Sequence, residues 1–194
     1  MVAHPQTPLI SVAEYLQKEI ASPVKHEYIN GEIYQMAGAN DAHVTIAGNL
    51  FALLRVHLRA SGCRVYIADM KVRIETCNCF YYPDIMVTCD TRDREYAIYK
   101  CFPKLIVEVL SPATEAFDRG DKFADYQTLT SLEEYVLVNS RRPRVECFRR
   151  NGDGLWVLQS YPPESENFAL HSVNFQGTLT QLYEDVEFAP NESQ

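Results

Sequence analysis

The sequence predicts a single α/β domain of mixed (α+β) order, a central β-sheet flanked by helices, and three observations carry that expectation. The 194 residues suit one domain with a sizeable core better than two small ones. Hydrophobic spacing switches between helical and strand periods in the order helix, hairpin, long helix, several strands, helix, strands. No internal repeat, low-complexity tract or linker divides the chain, so the domain is expected to span 1–194 with its core from about 11 to 183.

Ser11 and Glu14 stand at capping-box spacing, and Tyr15, Leu16 and Ile20 give the helix behind them an apolar stripe to about Ala21. Pro23 stops that helix. Val24 to Met36 reads as a β-hairpin, because Asn30-Gly31 suits the two positive-φ positions of a type I′ turn. Asp41 is placed to cap a long helix to about Arg59. Val44, Ala47, Leu50, Leu54 and Leu58 form its buried face, and Gly62 ends it.

Strands are expected at Arg64–Ile67, Lys71–Glu75 and Tyr81–Val87, the first two being one bent strand or a pair parted at Asp69. A polar loop from Thr88 to Lys100 leads into Lys104–Leu110, apolar on both faces except at Glu108. A helix over about Asp118–Leu129 and a strand at Tyr135–Asn139 come next. Arg144–Arg149 and Leu155–Tyr161 then form a hairpin around Asn151-Gly152. The tail from Phe168 holds a short strand and a helical turn near Gln181–Tyr183, and the last five residues are expected to fray.

Composition narrows the class. Hydrophobic residues at 46% and charged residues at 23% are ordinary for a globular protein. No apolar run approaches the roughly 20 residues that span a bilayer. Met1 to Ile10 lacks a basic segment followed by an apolar one, so a cytoplasmic location and no membrane partner are expected. In that setting Cys63, Cys77, Cys79, Cys89, Cys101 and Cys147 read as scattered thiols rather than a disulfide framework. Cys77 and Cys79 lack zinc spacing. The net charge of −8 is awkward for a chain that binds phosphates. Arg141, Arg142, Arg144, Arg149 and Arg150 do cluster, although such a run is more often a solvated hairpin than a binding face.

The chemistry points to two carboxylates inside apolar strands. Asp84 follows Tyr-Tyr-Pro and precedes Ile-Met-Val, and Glu108 interrupts Leu-Ile-Val and Val-Leu. A buried ionised carboxylate is costly unless paired or bound to metal. Two on neighbouring strands raise each other's pKa, and a hard divalent ion such as Mg²⁺ relieves both. Asp118, Lys122 and Tyr126 recur at i, i+4 and i+8, so a helix packed back over the Glu108 strand brings Lys122 to the same spot. There a lysine can orient or deprotonate an attacking water and contact a phosphate.

Each residue also has a plainer reading. Asp84 suits a turn after Pro83, Glu108 a buried salt bridge to arginine, and Lys122 alone a solvated helix face. His43 equally suits a helix N-terminal surface, and Glu27 or Glu32 ordinary hairpin charge.

Pro83-Asp84, Glu108-Val-Leu-Ser111-Pro112, the Asp118, Lys122 and Tyr126 series, and Glu134-Tyr135-Val-Leu-Val resemble the Uma family, grouped as endonucleases within the PD-(D/E)XK superfamily. The Glu27-Tyr-Ile-Asn-Gly31-Glu32 hairpin and His43 match as well, so the resemblance runs from roughly Ser11 to Tyr183. It implies a restriction-endonuclease-like fold with an N-terminal helix and β-hairpin. It also implies Asp84 and Glu108 as ligands of Mg²⁺ or Mn²⁺, Lys122 assisting the attacking water, and His43, Glu27 and Tyr126 in support. DNA is the implied partner, and a homodimer the implied assembly. One departure stands out: the superfamily pattern places lysine two residues after the glutamate, where this chain has Leu110. In the family the lysine is thought to come from the following helix, which Lys122 fits. The same fold could instead serve as an inactive binding or assembly module, or as a hydrolase of small phosphoesters.

Overall fold

A computed structural model of the chain describes residues 9–188. The tail expected to fray, 190–194, lies outside them, as does the start over 1–8. The first helix, α1 (Val12–Ala21), begins at the capping box: Ser11 Oγ accepts the Glu14 N–H while Glu14 accepts the Ser11 N–H. Its inner face is narrower than the stripe read from sequence. Tyr15 is buried against Tyr28 and Phe80, but Ile20 is 73% exposed. The hairpin is β1 (His26–Ile29) and β2 (Glu32–Gln35), with Asn30 at φ 50° and Gly31 at φ 96° as that turn requires.

The long helix α2 (Asp41–His57) is capped one residue earlier than expected, by Asn40, whose side chain accepts the His43 N–H. Ile46, Ala47, Leu50 and Leu54 are buried in it, whereas Val44 faces solvent. The helix ends ahead of Gly62, with Ala60 already at φ 64°.

The strands that follow divide between two sheets. They are β3 (Arg64–Ile67), β4 (Lys71–Ile74), β5 (Cys79–Tyr81), β6 (Ile85–Thr88), β7 (Tyr99–Lys100) and β8 (Pro103–Leu110). Two short helices come next, α3 (Glu115–Arg119) and α4 (Asp121–Gln127). Strands β9 (Glu134–Asn139), β10 (Val145–Arg150), β11 (Trp156–Tyr161), β12 (Asn167–Leu170) and β13 (Phe175–Thr178), with the turn α5 (Leu179–Leu182), complete the described chain. The larger sheet has the order β11-β10-β9-β8-β6-β3, and the smaller β2-β1-β5-β4-β7. Only β8 and β9 run parallel in the larger sheet, joined by the crossover through α3 and α4.

Two departures from the sequence reading have local causes. The strand expected over Tyr81–Val87 is two, because Tyr82-Pro83-Asp84 carries the chain from the smaller sheet to the larger, and Pro83 has no N–H for a ladder. Of the two readings of Arg64–Glu75, the structure takes the pair: β3 and β4 part at Ala68 (φ 55°) and Asp69 and enter different sheets. The helix expected over 118–129 is interrupted at Gly120 (φ −108°, ψ −106°).

A third departure is covalent. Cys63 and Cys89, flanking the paired residues Arg64 and Thr88, are joined by a disulfide. Cys77, Cys79, Cys101 and Cys147 are free thiols.

Alternation along β8 separates the two faces of the larger sheet. Leu105, Val107 and Val109 pack with Ile46, Leu50 and Leu54 of α2. Ile106 and Leu110 face the other way, into a core with Phe123 and Tyr126 of α4 and Val72, Ile74 and Tyr81 of the smaller sheet. Glu108 belongs to this second face. No helix among the described residues is long and apolar enough to cross a membrane.

Candidate functional site

Strand register brings the acids together. Ile85 pairs with Val107 and Met86 with Ile106, so the residue before β6, Asp84, arrives opposite Glu108. The Asp84 N–H points to Glu108 Oε2 at 3.4 Å, and the Val109 N–H donates to Asp84 Oδ2 at 2.7 Å. Glu108 is only 3% exposed, whereas a fifth of the Asp84 side chain reaches solvent. One acid is thus walled in by the core, and the other lies at its mouth.

Lys122 enters from the first turn of α4. Its Nζ lies 3.0 Å from Glu108 Oε1, 3.2 Å from Glu27 Oε1 and 3.5 Å from Asp118 Oδ1. The kink at Gly120 does not part Asp118 from Lys122, so the face read from their spacing survives the break. The Tyr126 hydroxyl, one turn further on, donates to Glu108 Oε1 at 3.2 Å. Leu110, where the superfamily pattern would put the lysine, is buried in the apolar core below. His43, at the start of α2, reaches Asp84 Oδ2 through Nε2 at 3.1 Å.

All six residues singled out from sequence, Asp84, Glu108, Lys122, His43, Glu27 and Tyr126, therefore meet in one cluster. Asp118 joins them as a contact of Lys122. Its place on the Lys122 face was visible in the sequence; its charge beside the ammonium needed the fold. Glu32, the hairpin's other acid, instead hydrogen-bonds Tyr34 on the surface.

The electrostatics are lopsided. Four carboxylates, on Glu27, Asp84, Glu108 and Asp118, surround one ammonium and one imidazole. Burial pushes the Glu108 carboxyl well above the usual carboxylate range; Lys122 pulls it back, while Asp118 and Asp84 push it further up. Burial alone would lower the Lys122 pKa, but Glu108, Glu27 and Asp118 together raise it above the ordinary lysine value. For His43, burial also works downward and is outweighed by the hydrogen bond and charge of Asp84, so the imidazole shifts up.

This arrangement fits a hard divalent cation of modest protein coordination. Asp84 and Glu108 offer oxygen donors side by side, and the local excess of negative charge is what a cation would offset. No group of three or more His, Cys, Asp or Glu side chains converges with metal-holding geometry among the described residues. A cation here would take two carboxylates and fill its shell with water, as Mg²⁺ commonly does.

Comparison with known proteins gives the family and the fold. The chain is 37% identical over 191 residues to Uncharacterized protein slr1290 of Synechocystis sp., an alignment covering 97% of this chain and 100% of that one. It is 35% identical over 156 residues to Uncharacterized protein sll1609 of the same organism, covering 78% and 87%. Its fold is similar to a crystal structure from Anabaena variabilis described as "a putative nuclease belonging to DUF820", with a TM-score of 0.73 over 90% of this chain and 97% of that one. At 16% identity that similarity shows the fold alone, and it agrees with the mixed sheet and flanking helices expected from sequence. The Uma2 family model, described as "Putative restriction endonuclease", matches residues 12–180. With the match spanning every residue of the cluster, the chain belongs to the Uma2 family.

Proposed function

We propose that this chain is a metal-dependent endonuclease that hydrolyses DNA phosphodiester bonds, with Asp84 and Glu108 holding Mg²⁺ or Mn²⁺. The observation that carries the reading is the buried Glu108 carboxylate, set beside Asp84 and in contact with a lysine. Family membership and the fold shared with a protein described as a nuclease support it.

When bound, the cation would lower the pKa of a water and offset charge developing on phosphorus. The chain's own residues do the rest. His43 and the Val109 N–H fix one Asp84 oxygen, leaving the other free to face a ligand. Tyr126 and Lys122 hold one Glu108 oxygen in the same way. Glu108, Glu27 and Asp118 raise the Lys122 pKa, which favours the charged ammonium. In that form it orients the water and steadies a phosphate oxygen. The reaction is hydrolysis: the water oxygen bonds to phosphorus and gives up a proton to solvent, while the bond to the sugar oxygen breaks and that oxygen takes up a proton from solvent.

The proposal places the protein in the cytoplasm and, as the resemblance implies, in a homodimer. Purified protein should nick or linearise plasmid DNA with Mg²⁺ or Mn²⁺ and stop when a chelator is added. Asp84→Ala should lower the rate on the order of a hundredfold or more. Undiminished cutting by that variant would remove Asp84 from the mechanism.

A second reading, an inactive binding or assembly module, draws on one observation. No third acidic, His or Cys ligand joins Asp84 and Glu108 among the described residues, and Lys122 already pairs with Glu108. Absence of cutting together with absence of metal-induced stabilisation would favour the module.

A further inference from the structure

The same sheet row that aligns the acids continues to a second, oppositely charged site. Glu108 pairs with Leu137 on β9, and Leu137 with Glu146 on β10. Facing residues of paired strands point to the same side, so Glu146 lies on the Glu108 face, about 10 Å away across two strand spacings. Glu146 is 6% exposed and holds two guanidinium groups: Arg119 at 2.5 Å and Arg144 at 3.1 Å. Arg119 comes from α3, next to the Asp118 that touches Lys122. The two sites thus share a helix as well as a sheet row.

Beyond β9 the chain turns through Arg141 and Arg142. Asn139 Oδ1 accepts both of their backbone N–H groups, at 2.9 Å and 3.1 Å, which fixes the turn. Both side chains are exposed; Arg141 makes only a 3.6 Å contact to Glu115, and Arg142 makes no ion pair among the described residues. These residues line a groove of about 710 Å³. Four arginines, Arg119, Arg141, Arg142 and Arg144, stand there against two glutamates, Glu115 and Glu146. On a chain with a net charge of −8, this is a local positive surface beside the acidic site.

We propose that this groove is the phosphate clamp of the protein, with Arg141 and Arg142 gripping the backbone of duplex DNA next to the bond to be cut. The clamp deepens the nuclease reading and rests on it. Arg119 and Arg144, tied to buried Glu146, set the shape of the groove, and the two outer arginines carry the free charge. Arginine suits the task because its planar fork matches two phosphate oxygens at once. Contacts of this kind position the duplex without reading its sequence.

The test is binding of a short fluorescent duplex DNA by the full chain, followed by anisotropy across a salt series with chelator present so that no strand is cut. Arg141→Ala/Arg142→Ala should bind at least about tenfold more weakly at physiological salt, with a salt slope shallower by about two. Arg55→Ala/Arg59→Ala, two exposed arginines in the last turn of α2 and just beyond it, should bind as the wild type does. An unchanged melting temperature of the clamp variant would show that both proteins are folded. Equal losses in the two double variants, no loss in the first, or no DNA binding by the wild type would each overturn the clamp. The nuclease reading fails on a different result: wild-type protein that binds DNA in this way yet never cuts it with Mg²⁺ or Mn²⁺.

Discussion

Glu108 occupies an environment in which a carboxylate survives only by its contacts. It is almost wholly buried, and Lys122, Tyr126 and the Asp84 N–H are its polar partners. Lys122 is held in turn by Glu27 and Asp118, so its removal would strand three acids around one buried spot. Breaking one partner of a buried ion pair destabilises by about 3–5 kcal/mol, because an uncompensated charge is left behind. Lys122→Met should therefore lower stability by about that much in urea unfolding, and adding Glu108→Gln should restore part of it. A Lys122→Met loss within the ~0.5 kcal/mol of an ordinary surface change would mean the pair is solvated and the site more open than described. Asp84 and Glu108 were legible in the sequence because an acid inside an apolar strand is chemically conspicuous. Lys122 was legible from helical spacing and family resemblance. Its protonation was not, because it depends on three acids from β1, β8 and α3 that only the fold brings within 3.5 Å.

At the scale of elements, local signals located the helices and hairpins and misjudged where they break. Asn30-Gly31 fixed the first hairpin because its turn demands positive φ, a property of single residues. The split at Tyr82-Pro83-Asp84 was hidden because the residues on both sides are β-formers, and a change of sheet leaves no mark on periodicity. The break at Gly120 was similarly hidden, because the i, i+4, i+8 spacing of Asp118, Lys122 and Tyr126 runs past it. The disulfide between Cys63 and Cys89 follows from the pairing of β3 with β6, a contact between distant segments. The hairpin turn also bears on the site, since β1 carries Glu27. Gly31 sits at φ 96°, and a Cβ there would lie 2.9 Å from the Leu9 Cβ. Gly31→Ala should cost about 1–2 kcal/mol through backbone strain, a drop of roughly 2–8 °C in melting temperature for a chain of this size. An unshifted melting curve would show that the turn and Leu9 relax freely.

For the whole molecule, the site lies where the two sheets meet. Glu27 belongs to the smaller sheet, Glu108 to the larger, and Asp84 to the connection between them. Lys122 bridges the first two from a helix packed on both. A cation bound by Asp84 and Glu108 would consequently fasten the connection to the central strand, and its effect should appear in global unfolding and not in one frayed segment. A ligand that binds only the folded state stabilises it by about 2.7 kcal/mol at a hundredfold excess over Kd. At roughly 2–4 °C per kcal/mol, saturating Mg²⁺ or Mn²⁺ should raise the melting temperature by about 5–10 °C. Asp84→Asn should abolish that rise, whereas Arg141→Ala/Arg142→Ala should keep it, because those arginines lie across β9 on a separate turn. Equal metal shifts in wild type and Asp84→Asn would place the cation elsewhere and leave the acidic pair a structural junction between the sheets.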